Sequence, residues 1–142
     1  MRTLPLLALM LLASISTSVM AAPNMQAGLW EITTKMEMAG MEGMPAMPPQ
    51  TIRQCIRPAD VQSGTATVPK GDPKCEIKDY KMQGNTASWR MECKGPNAMS
   101  GNGTVTYSGS SYSGQTQFSM KEQGQTMTMN HAFSGKRVGD CK

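Results

Sequence analysis

The chain reads as an all-β protein: an antiparallel meander curling into a small barrel or an open half-barrel, held by two disulfides. Three observations predict this. Apolar and β-branched residues alternate with polar ones along most of the chain beyond residue 27, and helical periodicity is absent there. Turn signals at Gly109-Ser110 and Gln123-Gly124 divide the last third into segments of about a dozen residues, the spacing of hairpin-linked strands. The four cysteines are an even set, as expected of a small domain that supplements its core with disulfides.

The first 21 residues carry a leader. Arg2 gives a positive start, Leu4 to Leu12 form a short apolar run, and Val19 and Ala21 occupy the small-residue positions of a cleavage site. Cleavage after Ala21 begins the mature chain at Ala22-Pro23. No later stretch approaches the roughly 20 apolar residues of a membrane span, so the expected product is soluble and periplasmic or secreted. Residues 22–142 suit one β-rich domain, expected to be monomeric. The chain carries 14 basic and 10 acidic residues. They form no cluster and do not interleave with aromatics, so no nucleic-acid surface is expected.

The elements follow in order. GLWEITTKMEM (28–38) alternates as a strand whose Trp30/Ile32 face looks inward. The Gly-, Pro- and Met-rich stretch 39–50 is a loop. TIRQCIR (51–57) is a second strand, Pro58–Gln62 one helical turn with proline near its start, and 63–73 another loop. CEIKDYKM (75–82) and TASWRMEC (86–93) form a hairpin. A three-residue loop, Gln83-Gly84-Asn85, pairs Met82 with Thr86 and, counting back, Cys75 with Cys93. Opposed positions of this kind bring cysteines within disulfide range. Cys55 is then left for Cys141. A thiolate metal site is the competing use of four cysteines, but the chain has no CxxC and the spacings are irregular. The segments 101–108, 111–122 and 125–137 complete the meander, rich in Thr, Ser, Gln and Tyr, so one of its faces is wet.

Two methionine-bearing features carry candidate chemistry. Fifteen methionines are present, and Met36, Met38, Met41, Met44 and Met47 cluster in the first strand and the loop that follows it. Flexible thioether side chains fit varied apolar surfaces; with Trp30 they are the expected contact residues for a small apolar ligand or an envelope protein. Thioether sulfur is also a soft ligand that suits Cu(I) or Ag(I). On a strand, Met127, Met129 and His131 project from one face about 7 Å apart, a second candidate metal set. The alternative for those three is ordinary core or rim packing. Otherwise no cofactor is expected.

His131 is the sole histidine, and any imidazole base must be that residue. No G-x-S-x-G, H-E-x-x-H, Walker or dinucleotide motif is present. No catalytic residue is expected, and the functional expectation is an exported non-enzymatic binding module whose Met-rich loop covers an apolar groove, with soft-metal binding through the Met thioethers as the alternative.

Several motifs are shared with a known group. The opening Gly28-Leu29-Trp30-Glu31, the run 35–41, the Met-Pro-Pro-Gln of 47–50 and Cys55 belong to it. So do Cys75, Tyr80, Gly84-Asn85-Thr86, Trp89, Met91 and Cys93, and the tail Gly135-Lys136-Arg137-Val138-Gly139-Asp140-Cys141. Together they resemble a family of small exported bacterial proteins of unknown function, over nearly all of residues 26–141. The resemblance implies an exported location, a bacterial source and a four-cysteine framework. It implies no activity, cofactor or catalytic residue.

Overall fold

A computed structural model describes residues 22–39, 47–64, 66–67, 73–95 and 98–142. The expected leader 1–21, residues 40–46 of the expected Met-rich loop with Met41 and Met44, and residues 65 and 68–72 of the expected loop 63–73 lie outside the described residues; Ala39 and Gln50, expected in the Met-rich loop, instead end one strand and begin the next. Seven strands form one sheet: β1 (Gly28–Ala39), β2 (Gln50–Ile56), β3 (Cys75–Gln83), β4 (Thr86–Cys93), β5 (Met99–Tyr107), β6 (Ser111–Glu122) and β7 (Gln125–Gly139). A single helical turn, α1 (Pro58–Gln62), sits between β2 and β3. Every strand pairing is antiparallel, in the order β2-β1-β7-β6-β5-β4-β3.

This is a meander whose first and last strands pair, with the seam left open between β2 and β3. Of the two architectures the alternation allows, the sheet is the open half-barrel and not the closed barrel. At the seam lies α1, and Tyr80 OH of β3 donates to Gly64 O, just past that turn, at 3.1 Å. Arg57 caps that turn with its backbone N–H on Asp60 Oδ2 at 3.1 Å, Pro58 occupies the first turn, and Val61 points into the core. The two edges are poor templates for further pairing. β2 is polar and exposed along most of its length, and β3 is interrupted by a bulge between Lys78 and Lys81.

That bulge corrects one detail of the hairpin. Gln83, rather than Met82, lies opposite Thr86. The connection is therefore the two-residue turn Gly84-Asn85, with Gly84 at φ 58°, the positive angle a tight hairpin needs at its first central residue. The extra residue is absorbed at the bulge, where Asp79 adopts φ 53°. Cys75 thus still faces Cys93, and both disulfides form: Cys75–Cys93 and Cys55–Cys141. With no cysteine free, a thiolate metal site is ruled out.

The core fills one end of the concave face. Trp30, Val105, Tyr107, Tyr112 and Phe133 pack there against Met25, Ile56 and Val61. Met25 is brought in because the segment before β1 pairs with the β5–β6 turn, Gln26 N–H to Gly109 O at 2.9 Å and Gly109 N–H to Asn24 O at 2.8 Å. Arg137 ties the tail to this end: its Nε donates to Ala27 O at 2.8 Å, and its guanidinium pairs with Asp140, next to the Cys55–Cys141 bridge. The G-L-W-E opening and the G-K-R-V-G-D-C tail are thus parts of one clamp.

A further regularity organises the concave face. Four aromatic residues each lie directly opposite a glycine on the adjacent strand: Trp89 and Gly103, Phe118 and Gly101, Phe133 and Gly114, Tyr112 and Gly135. The rings fold over the bare backbone. A Cβ at Gly103 would stand 2.3 Å from the Trp89 ring, and one at Gly135 2.2 Å from Tyr112. A chain with few aromatics gains dense packing this way, because each ring meets backbone on one face and core on the other.

Candidate functional site

The concave face has a packed end and an open end. At the packed end the polar atoms are accounted for. Trp30 is wholly buried and donates its indole N–H to Gln26 O at 3.0 Å. Tyr107 OH and Thr67 Oγ1 are 2.6 Å apart. Burial pushes the phenol groups of Tyr107 and Tyr112 up to about 12, so both stay neutral. Trp30, expected among the contact residues, is a core residue here and is closed to any ligand.

Towards the other end the same face continues without a cover among the described residues. Strand alternation brings Met36 and Met38 of β1 onto it, with Met127, Met129 and His131 of β7 beside them. Met38 lies opposite Met129 and Met36 opposite His131. The two methionine sets that stand far apart in sequence therefore form one surface. β6 extends it, since Phe118 faces Met129 and Met120 faces Met127, and Met99 of β5 faces Met120 in turn. Met36 and Met38 are 40% and 41% exposed, an unusual degree for large apolar side chains pointing into a curved sheet. A pocket of about 300 Å³ opens among Met38, Met120, Met127 and Met129. Met47, 46% exposed, precedes β2.

Phe118, Met120 and Met99 were not among the residues singled out from the sequence. Their signal was present in the alternation of β5 and β6, but which face is concave depends on the β1–β7 pairing, a contact between the two ends of the chain.

Between the packed core and the open pocket runs a row with different chemistry. His131 faces Thr116, Thr116 faces Gly103, and Gly103 faces Trp89. Burial holds the His131 imidazole below its ordinary pKa, so it is neutral at pH 7, and its ring packs tilted against Phe133 at 5.7 Å between centroids. Trp89 Nε1 and Thr116 Oγ1 are buried with no hydrogen-bond partner among the described residues.

The convex face is polar and paired. Arg53 Nη2 meets Glu31 Oε2 at 3.1 Å, Lys78 Nζ meets Glu92 Oε2 at 2.5 Å, and Gln117 Nε2 donates to Asn130 Oδ1 at 3.1 Å. Among the described residues no three His, Cys, Asp or Glu side chains are placed to hold a metal ion. No helix among them is long and apolar enough to cross a membrane.

A family model described as a protein of unknown function (DUF3617) matches residues 25–141. No curated protein and no solved structure matches the chain.

Proposed function

The chain belongs to this family of unknown function, and from that premise we propose that it is an exported, non-enzymatic binding module taking a small apolar ligand into the open end of its half-barrel. The observation that carries the reading is the continuous surface of Met38, Met129, Phe118, Met127 and Met120, half-exposed on the concave side of a rigid sheet. Such surface is costly to leave wet, at roughly 25 cal/mol per Å². Mobile thioethers suit it to ligands of varied shape. The pocket, at about 300 Å³, falls at the lower end of small-molecule sites, which run from about 300 to 1,000 Å³. Two disulfides support placement outside the cytoplasm. His131, the sole histidine, packs its ring against Phe133 at 5.7 Å between centroids, an apolar neighbour that does not orient an imidazole as a base.

Titration with N-phenyl-1-naphthylamine, a probe that brightens in apolar sites, tests this. The expected result is saturable binding that Met129→Gln weakens about tenfold, since a buried apolar side chain is worth about 1.5–3 kcal/mol. Absence of saturable binding, or an unchanged affinity in the variant, overturns the reading.

Soft-metal binding is the second reading, favoured by the opposition of Met38 with Met129 and Met36 with His131. Three thioethers and an imidazole are a donor set suited to Cu(I). The variant Met38→Leu/Met129→Leu removes sulfur while keeping apolar area. Under this reading it abolishes Cu(I) binding tighter than micromolar and spares the naphthylamine probe. Cu(I) binding weaker than micromolar in the unmodified protein removes the metal reading.

A further inference from the structure

We infer that the ligand of this groove is an apolar chain bearing one uncharged oxygen, a hydroxyl or a carbonyl, held by Trp89 Nε1 and Thr116 Oγ1. The inference rests on the groove reading above and specifies what occupies it. Trp89 and Thr116 are 3% and 1% exposed, and neither polar atom has a partner among the described residues. A buried group left in that state costs about 1–3 kcal/mol, and the two residues stand in one cross-strand row, Trp89 opposite Gly103 and Gly103 opposite Thr116.

The two groups lie in one row across the sheet. A Cβ at Gly103 would come within 2.7 Å of Trp89 Nε1, so the indole reaches from β4 over β5, towards β6, the strand that carries Thr116. Thr116 is flanked on its other side by His131, whose neutral ring adds a donor or acceptor. Along the same face the row is followed by Phe118 opposite Met129 and then by Met120 opposite Met127, the methionines that line the apolar pocket. A chain lying along the methionines would bring its polar end to this row.

The charge of that end follows from what surrounds it. The concave positions of β4 are Ala87, Trp89, Met91 and Cys93, and those of β5 are Met99, Gly101, Gly103, Val105 and Tyr107. On β6 from Tyr112 to Met120 and on β7 from Met127 to Gly135 they are equally free of Asp, Glu, Lys and Arg. An ionised head would be buried here without a counter-charge, which is strongly unfavourable. An indole N–H can only donate, so the ligand atom it meets must accept. A hydroxyl or carbonyl oxygen meets both conditions.

Competition against N-phenyl-1-naphthylamine tests this with decan-1-ol, decan-2-one and ionised decanoate at pH 7, on the unmodified protein, Thr116→Val and Trp89→Phe. The alcohol or the ketone should displace the probe at least tenfold more tightly than decanoate. Each variant should lose about tenfold in affinity for that oxygen ligand and keep its affinity for the probe, which also reports that it is folded. Equal binding of alcohol, ketone and carboxylate overturns the inference, as does unchanged affinity of both neutral ligands in both variants; the two buried atoms then hold a structural water only, and the groove reading stands. Failure of the probe itself to bind the unmodified protein sinks the groove reading and this inference together.

Discussion

Replacing Cys55 and Cys141 together by alanine should lower the thermal unfolding midpoint by well over ten degrees. The bridge joins residues 86 apart in sequence. By loop-closure entropy a constraint of that length contributes about 4–5 kcal/mol, and each kcal/mol moves the midpoint of a domain this size by about 4 °C. The location strengthens the expectation. β2 is an edge strand held by β1 alone, and the bridge is its second attachment, reaching the tail that Arg137 fixes to Ala27 and Asp140. Loss of the bridge leaves Ile56 and the adjoining α1 free to leave the core. By contrast, Cys75–Cys93 closes residues only 18 apart across strands already paired, and its removal should cost less, about 3 kcal/mol at most. Circular dichroism melts of the two double variants check the ranking. A midpoint for Cys55→Ala/Cys141→Ala within a few degrees of the unmodified protein would mean that packing around Trp30 suffices by itself.

The pairing of Cys75 with Cys93 was legible because it is local. A hairpin needs only alternation and a turn, and counting from either end meets at the cysteines. The count reached the right pair by a route that differs at both ends, since the two-residue turn at Gly84-Asn85 and the bulge at Asp79 each shift the register by one and cancel. Nothing in the residue types at 78–81 marks a bulge, so only the sum was readable. The candidate site shows the opposite case. Met127, Met129 and His131 were placed on one face from the period of two, and Met36 and Met38 from the strand they end. That these sets meet depends on β1 pairing with β7, which no local pattern encodes. Trp30, expected among the contact residues, stands near the start of β1, where Met25 and Val61 of α1 pack with it in the core. Trp89 belongs to the same buried cluster, but its place on β4 opposite Gly103 sets it in the row of Thr116 and His131. The glycines of β5, β6 and β7 read as turn or strand-weakening residues when taken singly. Their role appears only when each is seen to face an aromatic across a strand pair.

That role makes Gly135→Ala the more severe of two conservative substitutions in the same strand. Gly135 faces Tyr112, and an added Cβ would lie 2.2 Å from the ring, well inside contact distance. The ring cannot retreat, because Trp30 stacks on it at 5.3 Å and Phe133 lies at 6.3 Å. One methyl group therefore either displaces an aromatic cluster or separates β6 from β7 beside the clamp at Arg137. Overpacking of this kind costs about 1–3 kcal/mol, and a site with no soft neighbour belongs at the top of that range. Gly139, four residues on in β7, has nothing within 4 Å of its would-be Cβ, so Gly139→Ala is the matched control and should change stability by less than about 0.5 kcal/mol. Urea unfolding of the two variants measures the difference. Equal midpoints would show that the sheet yields around Tyr112 at little cost, and the close approach of ring to backbone would then not be what fixes the curvature that holds the methionine-lined groove open.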